Sequence, residues 1–156
     1  LVVSNHLNFT DPQFIARACP GHINFMVKKE LFSYPVIGFG LRLLGTFPVD
    51  RRGNDIGAVR RALQLLGRGN SVMLFPEGTR SRTEHWKSGF YHIAFTAKVP
   101  IVCGYLDYAR KRGGFGLTFV PTGDIKTDMD RIRAFYEGKQ GKFPEKFGPV
   151  RLRDEG

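Results

Sequence analysis

Short apolar runs alternate with stretches of helical period along this chain. Leu1-Val2-Val3-Ser4 reads as a strand end, residues 23–28 and 46–49 as further extended segments, 71–75 and 101–106 as buried strands, and 117–120 as an edge strand. Between them lie helical patterns. Asp11-Pro12 opens one, with Asp as N-cap and Pro in the first helical position, a body over 13–19 and a stop at Pro20-Gly21. Residues 29–44 read as one or two helices around Pro35. Asn54-Asp55 caps the clearest helix, in which Ile56, Val59, Leu63 and Leu66 recur at helical spacing until Gly67 or Gly69 ends it. Further helices are expected over 89–98 and 128–136, followed by an irregular tail rich in Gly, Pro and charge. The alternation predicts an α/β fold: one domain over 1–156, with a mostly parallel central sheet flanked by helices. Its core is expected over about 1–122, with a C-terminal helix and tail over 123–156. The chain opens inside a strand, which leaves room for an N-terminal segment outside this sequence.

Composition narrows the classes. The 156 residues suffice for one hydrophobic core, and at 42% hydrophobic the chain is globular rather than disordered. Lys and Arg number 24 against 14 Asp and Glu, a formal net charge of +10. Such a surplus favours an anionic partner: nucleic acid, an acidic membrane surface or a phosphorylated substrate. The two cysteines, Cys19 and Cys103, are too few for a disulfide scaffold and read as reduced thiols of a cytosolic protein. Apolar stretches fall far short of the ~20 residues that span a bilayer, and the opening has no signal-peptide pattern.

Three polar segments follow strand-like runs, and in a parallel sheet such segments meet at the carboxyl ends of the strands, where open α/β folds bind ligands. The first holds His6 and Asp11. An Asp accepting the imidazole Nδ1 proton would leave Nε2 free to take a proton from a substrate hydroxyl. The same spacing also fits an N-capping Asp beside an incidental loop His. The second, Gly45 to Gly53, sets Arg51 and Arg52 before a helix, where guanidinium forks suit an oxyanion; a solvated basic turn with Arg51 paired to Asp50 is the alternative. The third runs Phe75-Pro76-Glu77-Gly78-Thr79-Arg80-Ser81, with Lys87 shortly after. Gly78 permits close backbone approach, Thr79 and Ser81 supply hydroxyls, Arg80 and Lys87 supply charge, and Glu77 can accept from a hydroxyl or hold an arginine. A plain β-turn with Glu77 and Arg80 paired fits as well.

Asn5-His6-x4-Asp11, then Gly45-x-Phe47 with Arg51, then Phe75 to Ser81 occur in the order of the glycerolipid acyltransferase family, which includes the 1-acyl-glycerol-3-phosphate acyltransferases. The chain resembles that family over residues 1 to about 106, and Val99-Pro100-Ile101-Val102 is similar to its fourth, apolar block. The resemblance implies the fold of that family. It implies His6 as general base with Asp11 orienting it, Arg51 on the acceptor's phosphate, and Glu77, Gly78, Thr79 and Arg80 lining the acceptor site. Lys87 matches a basic residue just after the third block. The implied reaction is direct attack of the acceptor hydroxyl on the thioester of acyl-CoA or acyl-carrier protein, with no cofactor, metal or covalent acyl-enzyme. Lysophosphatidate-like acceptors, the acyl donor and an anionic membrane surface are the implied partners, with no nucleic acid. The implied location is cytoplasmic, peripheral on the inner face of the membrane.

Some residues depart from the family pattern. Asn8 stands where many members carry Ser, Cys103-Gly104 replaces a second proline, and Trp86 to Tyr91 is bulkier than usual. These bear on the acceptor, so another lysophospholipid or an amino-acid lipid stands beside lysophosphatidate. A non-catalytic basic module binding membrane or nucleic acid is the rival from another class; Tyr105, Tyr108, Arg110, Lys111 and Arg112 would suit it, or form a solvated loop between two strands. His22, His85 and His92 with Cys19 and Cys103 fit no metal-ligand spacing. Gly67-Arg68-Gly69-Asn70 lacks the Gly-Lys-Ser/Thr of a phosphate-binding loop. Phe90, Tyr91 and Phe95 read most simply as helix core, with one edge lining an acyl channel as the alternative.

Overall fold

The computed structural model describes residues 1–5, 10–50, 55–79 and 81–155. Six strands form one sheet: β1 (Val2–Ser4), β2 (Ile23–Lys28), β3 (Phe47–Val49), β4 (Ser71–Leu74), β5 (Ile101–Asp107) and β6 (Arg112–Phe119). Their spatial order is β3-β2-β4-β1-β5-β6. Every pairing is parallel except β5 with β6, an antiparallel hairpin at one edge. Five helices connect or follow them: α1 (Asp11–Ala18), α2 (Pro35–Leu43), α3 (Ile56–Gly67), α4 (Gly89–Ala97) and α5 (Ile125–Tyr136). The architecture is the α/β arrangement that the alternating pattern predicts.

Because strand side chains alternate in direction, each strand feeds two cores. Val2, Ile23, Met73 and Leu106 meet Ile15 of α1 on one face. Leu1, Val3, Val72, Ile101 and Cys103 meet α3, α4 and α5 on the other. β1 is short but buried at every residue, since β4 and β5 flank it and both faces are covered. Burial raises the Cys103 thiol to about 12, so it behaves as an apolar residue.

Two details of the helices differ from expectation. Asp11 is not the N-cap of α1; Thr10, already in helical conformation, precedes the helix, and Asp11 is a buried residue of its first turn. In α3 the inward stripe is Ala58, Ala62, Leu65 and Leu66, whereas Ile56 is 70% exposed and Val59 38%. Two alanines let this helix lie close to its neighbours, so small side chains, not the branched ones, face the core. The caps are as predicted: Asp55 accepts from the Ala58 N–H at 2.9 Å, and Gly69, at φ +79°, closes the far end through its N–H to Leu66. β6 begins at Arg112, earlier than expected. Its glycines make room rather than a loop, since a Cβ on Gly116 would sit 2.3 Å from the Phe135 ring of α5.

Residues 29–44 form a 3₁₀ turn (Lys29–Ser33) and then α2, as the Pro35 break implies. Gly38 lets α2 press on that turn, for a Cβ there would lie 2.6 Å from the Phe32 carbonyl oxygen. The remaining surface of α2 is open: Val36 is 85% exposed, Phe39 64% and Leu43 70%. No helix of the described residues is long and apolar enough to cross a membrane.

The C-terminal part is tied back into the fold. Met129, Ile132 and Tyr136 of α5 are buried, and the tail returns through Leu152, bridged to Trp86. Asp128, also of α5 and fully buried, accepts from the Tyr91 hydroxyl (2.9 Å), the Thr122 N–H (2.7 Å) and the Thr122 hydroxyl (3.1 Å). Burial first, and then this carboxylate, pushes the Tyr91 phenol up to about 12. Orphaning a buried donor costs about 1–3 kcal/mol. Asp128→Ala should therefore lower the unfolding free energy by on the order of 3 kcal/mol in urea titrations, and a loss below about 1 kcal/mol would show that the network adds little.

Candidate active site

The winding of the sheet fixes where a site can form. From β1 the chain crosses over β4 to β2; from β4 it crosses over β1 to β5. These crossings run in opposite directions, with α1 and α4 on opposite faces. The reversal therefore lies between β1 and β4, and it is outside the carboxyl ends of the strands at such a point that open α/β sheets bind ligands. The first and third polar segments begin there, after Ser4 and Leu74, while the second begins after β3 at the sheet edge.

Asn5 is buried and extends the pairing of β1 with β5 by its side chain. Its Nδ2 donates to the Leu106 carbonyl, and its Oδ1 accepts from the Leu106 N–H, both at 3.0 Å. The amide thus imitates one further peptide unit of the ladder. His6, Leu7, Asn8 and Phe9 lie outside the described residues. Asp11 stands beyond them on α1, 2% exposed, and accepts a 2.7 Å bond from the Tyr108 hydroxyl at Oδ1.

In the third segment the Gly78 N–H donates to Phe75 across a tight turn. Glu77 is buried within that turn. Its negative charge contributes, after burial and Cys103, to raising the Tyr136 phenol well above its ordinary range. Gly78 holds φ +67°, and a Cβ there would meet Lys87 at 3.0 Å from Cε and 3.2 Å from Cδ. Lys87 in turn donates its backbone N–H to Pro76 at 2.8 Å. Two residues nine apart in sequence are thus folded onto one another, with the lysine crossing the glycine. The Thr79 hydroxyl oxygen accepts from the Ser81 N–H at 3.2 Å. Arg80 itself lies outside the described residues.

Arg51 and Arg52 also lie outside them, but the ends of their turn are described. Asp55 accepts from the Asp50 N–H at 2.7 Å through one oxygen and from Ala58 through the other. The Asp50 N–H, then that of Ala58, holds the Asp55 carboxyl below the usual carboxylate range. Asp50 also pairs with Lys29, at the carboxyl end of the neighbouring strand.

The structure therefore places Asp11 beside β5, and brings Glu77, Gly78, Thr79 and Lys87 into one loop cluster. Sequence reasoning passed over two residues here. Asn5 was noted only as part of a motif, although a polar residue directly after a buried apolar run signals a partner inside the fold. Tyr108 was grouped with a basic, aromatic turn. That turn is largely committed: Arg110 bonds Asp107 at 2.7 Å and the Gly138 carbonyl at 2.8 Å, and the arginine holds the Asp107 carboxyl below its ordinary range. Among the described residues no group of three His, Cys, Asp or Glu is placed to hold a metal.

Comparison with known proteins follows the same geography. The family profile described as Acyltransferase matches residues 1–106. The 1-acyl-sn-glycerol-3-phosphate acyltransferase of Streptococcus pneumoniae is 35% identical over 104 residues, covering 65% of this chain and 39% of that protein. Its namesake in Bacillus subtilis is 38% identical over 84 residues, 53% of this chain and 42% of the relative. The alpha form of Ovis aries is 33% identical over 157 aligned positions, 85% of this chain and 55% of the relative. The chain thus spans well under two thirds of these relatives' length. The crystal structure of PlsC, the 1-acyl-sn-glycerophosphate acyltransferase of Thermotoga maritima, superposes with a TM-score of 0.56 at 24% identity, over 78% of this chain and 56% of that one, and shares the fold.

The conformation at Gly78 gives a direct check on the loop. A left-handed residue bearing a Cβ costs roughly 1–2 kcal/mol, and here it also displaces Lys87. Gly78→Ala should lower stability by about that amount in urea titration; unchanged stability would mean that the turn relaxes freely.

Proposed function

This chain belongs to the acyltransferase family, and on that premise we propose that it moves a fatty acyl group from acyl-CoA or acyl-carrier protein to the free hydroxyl of 1-acyl-glycerol-3-phosphate or a similar lysolipid. The observation that carries the reading is the emergence of the first and third polar segments side by side at the winding reversal. The buried Asp11 carboxylate belongs to one and the Gly78–Lys87 cradle to the other. The names of the relatives support the choice of acceptor.

In this reading His6 takes the proton of the acceptor hydroxyl as its oxygen attacks the thioester carbonyl. Collapse of the tetrahedral adduct breaks the carbon–sulfur bond, and the departing thiolate recovers the proton from the imidazolium. Asp11 keeps the imidazole in the right tautomer and stabilises its charged form. Arg51 and Arg80 hold the acceptor's phosphate, joined by Lys87, whose position over Gly78 sets its ammonium at the loop. Glu77 and Thr79 shape that side of the pocket. Fixing hydroxyl and thioester in contact supplies much of the rate.

A general base contributes typically ~10²–10⁴-fold. His6→Ala should therefore lose at least ~10²-fold in turnover with an unchanged circular dichroism spectrum. In transfer assays on a panel of lysolipids, Arg80→Ala should raise KM for phosphorylated acceptors and spare neutral ones. Near-normal turnover in the first variant, or equal losses across acceptors in the second, would count against these roles.

We also propose peripheral association with an anionic membrane through α2. Val36, Phe39 and Leu43 recur at one helical face and are all open. Arg42 is exposed beside them, over the Phe32 ring at 5.6 Å, and the chain's +10 charge suits acidic lipid. Burying one such apolar side chain is worth about 1.5–3 kcal/mol. The double variant Val36→Asp, Phe39→Asp should reduce co-sedimentation with phosphatidylglycerol vesicles at least ~10-fold, whereas equal partitioning of both proteins would exclude this face.

A further inference from the structure

Both ends of the segment that carries His6 are fastened to the same place, the carboxyl end of β5. Before it, Asn5 exchanges two hydrogen bonds with the Leu106 backbone. After it, Asp11 takes the Tyr108 hydroxyl at 2.7 Å. From this geometry we infer that Tyr108 is a positioning residue for acyl transfer, acting through Asp11. The inference rests on the reading of His6 and Asp11 as the base and its orienting partner.

The physical need is specific. A carboxylate on the first turn of a helix rotates about two side-chain bonds, and an orienting partner must present one oxygen in a fixed direction. A hydrogen bond to Oδ1 fixes the plane of the group and so the direction of Oδ2. Asp11 is also 2% exposed, and a buried carboxylate needs donors in place of the water it has lost. The phenol meets both needs if it is held itself, and it is. The Tyr108 N–H donates to the Gln140 carbonyl at 2.8 Å, and its ring packs against the core of Ile15 and Leu106. A second anchor on the same strand end, through Asn5, ties the residue before the segment to β5 as well. Tyr108 lies two residues beyond the segment that the family profile matches.

The test is a double-mutant cycle on acyl transfer, with His6→Ala as reference. Tyr108→Phe keeps the ring and removes the hydroxyl. It should lower kcat about 10-fold while leaving KM for donor and acceptor within twofold and the melting temperature within a few degrees. In an Asp11→Asn background the same change should cost less than twofold, because the carboxylate through which it acts has gone. A merely structural tyrosine would give equal losses in both backgrounds, and that result would overturn the inference. So would wild-type kcat in Tyr108→Phe beside an inactive His6→Ala, which would leave the His6–Asp11 reading standing. Wild-type turnover in His6→Ala would overturn both.

Discussion

Parallel pairing of β1 on both sides is the constraint on which the rest depends. The strand has three residues, all buried, and contributes Val2 to one core and Val3 to the other. With β4 and β5 as neighbours its backbone is satisfied on both edges, and the loop that follows it can leave only at the carboxyl end. That exit lies beside the exit of β4. Two polar segments separated by about 70 residues of sequence are therefore delivered to neighbouring strand ends by backbone pairing alone.

Burial of polar groups then refines the delivery. Asn5, Asp11 and Glu77 are all nearly sealed from solvent, and polar groups in such places persist only with partners. Leu106 and Tyr108, at the end of β5, supply hydrogen bonds to Asn5 and Asp11 and so link the middle of the sheet to the residues flanking the segment after β1. A site assembled in this way inherits the rigidity of the sheet. Its loops depend less on their own packing than on a few hydrogen bonds to strand ends.

Much of this was legible in the residues. The strands over 23–28, 46–49, 71–75 and 101–106 showed themselves as short apolar runs, and Asp55 and Gly69 marked the ends of α3 by cap chemistry that is local and so visible in sequence. What failed was tertiary. Ile56 and Val59 looked like a core stripe, but α3 lies close enough to its neighbours that Ala58 and Ala62 take those places. Asp11 looked like a cap because Asp-Pro usually is one; a hydroxyl 97 residues away claims its carboxylate instead. The edge strand expected over 117–120 begins at Arg112 instead, and Gly116 within it makes room for the Phe135 ring of α5. Of the candidate site, residue types and order were readable, whereas the crossing of Lys87 over Gly78 was not, since it needs a positive φ and a close approach that no spacing announces.

The return of the tail has a practical side. Trp86, next to Lys87, donates its N–H to the Arg151 carbonyl at 2.7 Å, Arg151 reaches the Glu84 carbonyl at 3.0 Å, and Gly148 comes so near Thr83 that no side chain would fit. Residues 147–152 thus act as a buckle on the strap that carries the lysine. Trimming the polypeptide within that stretch, or joining a fusion partner to it without a spacer, would slacken a loop far from the cut in sequence. An assay of such a shortened protein would then report on the buckle rather than on the chemistry.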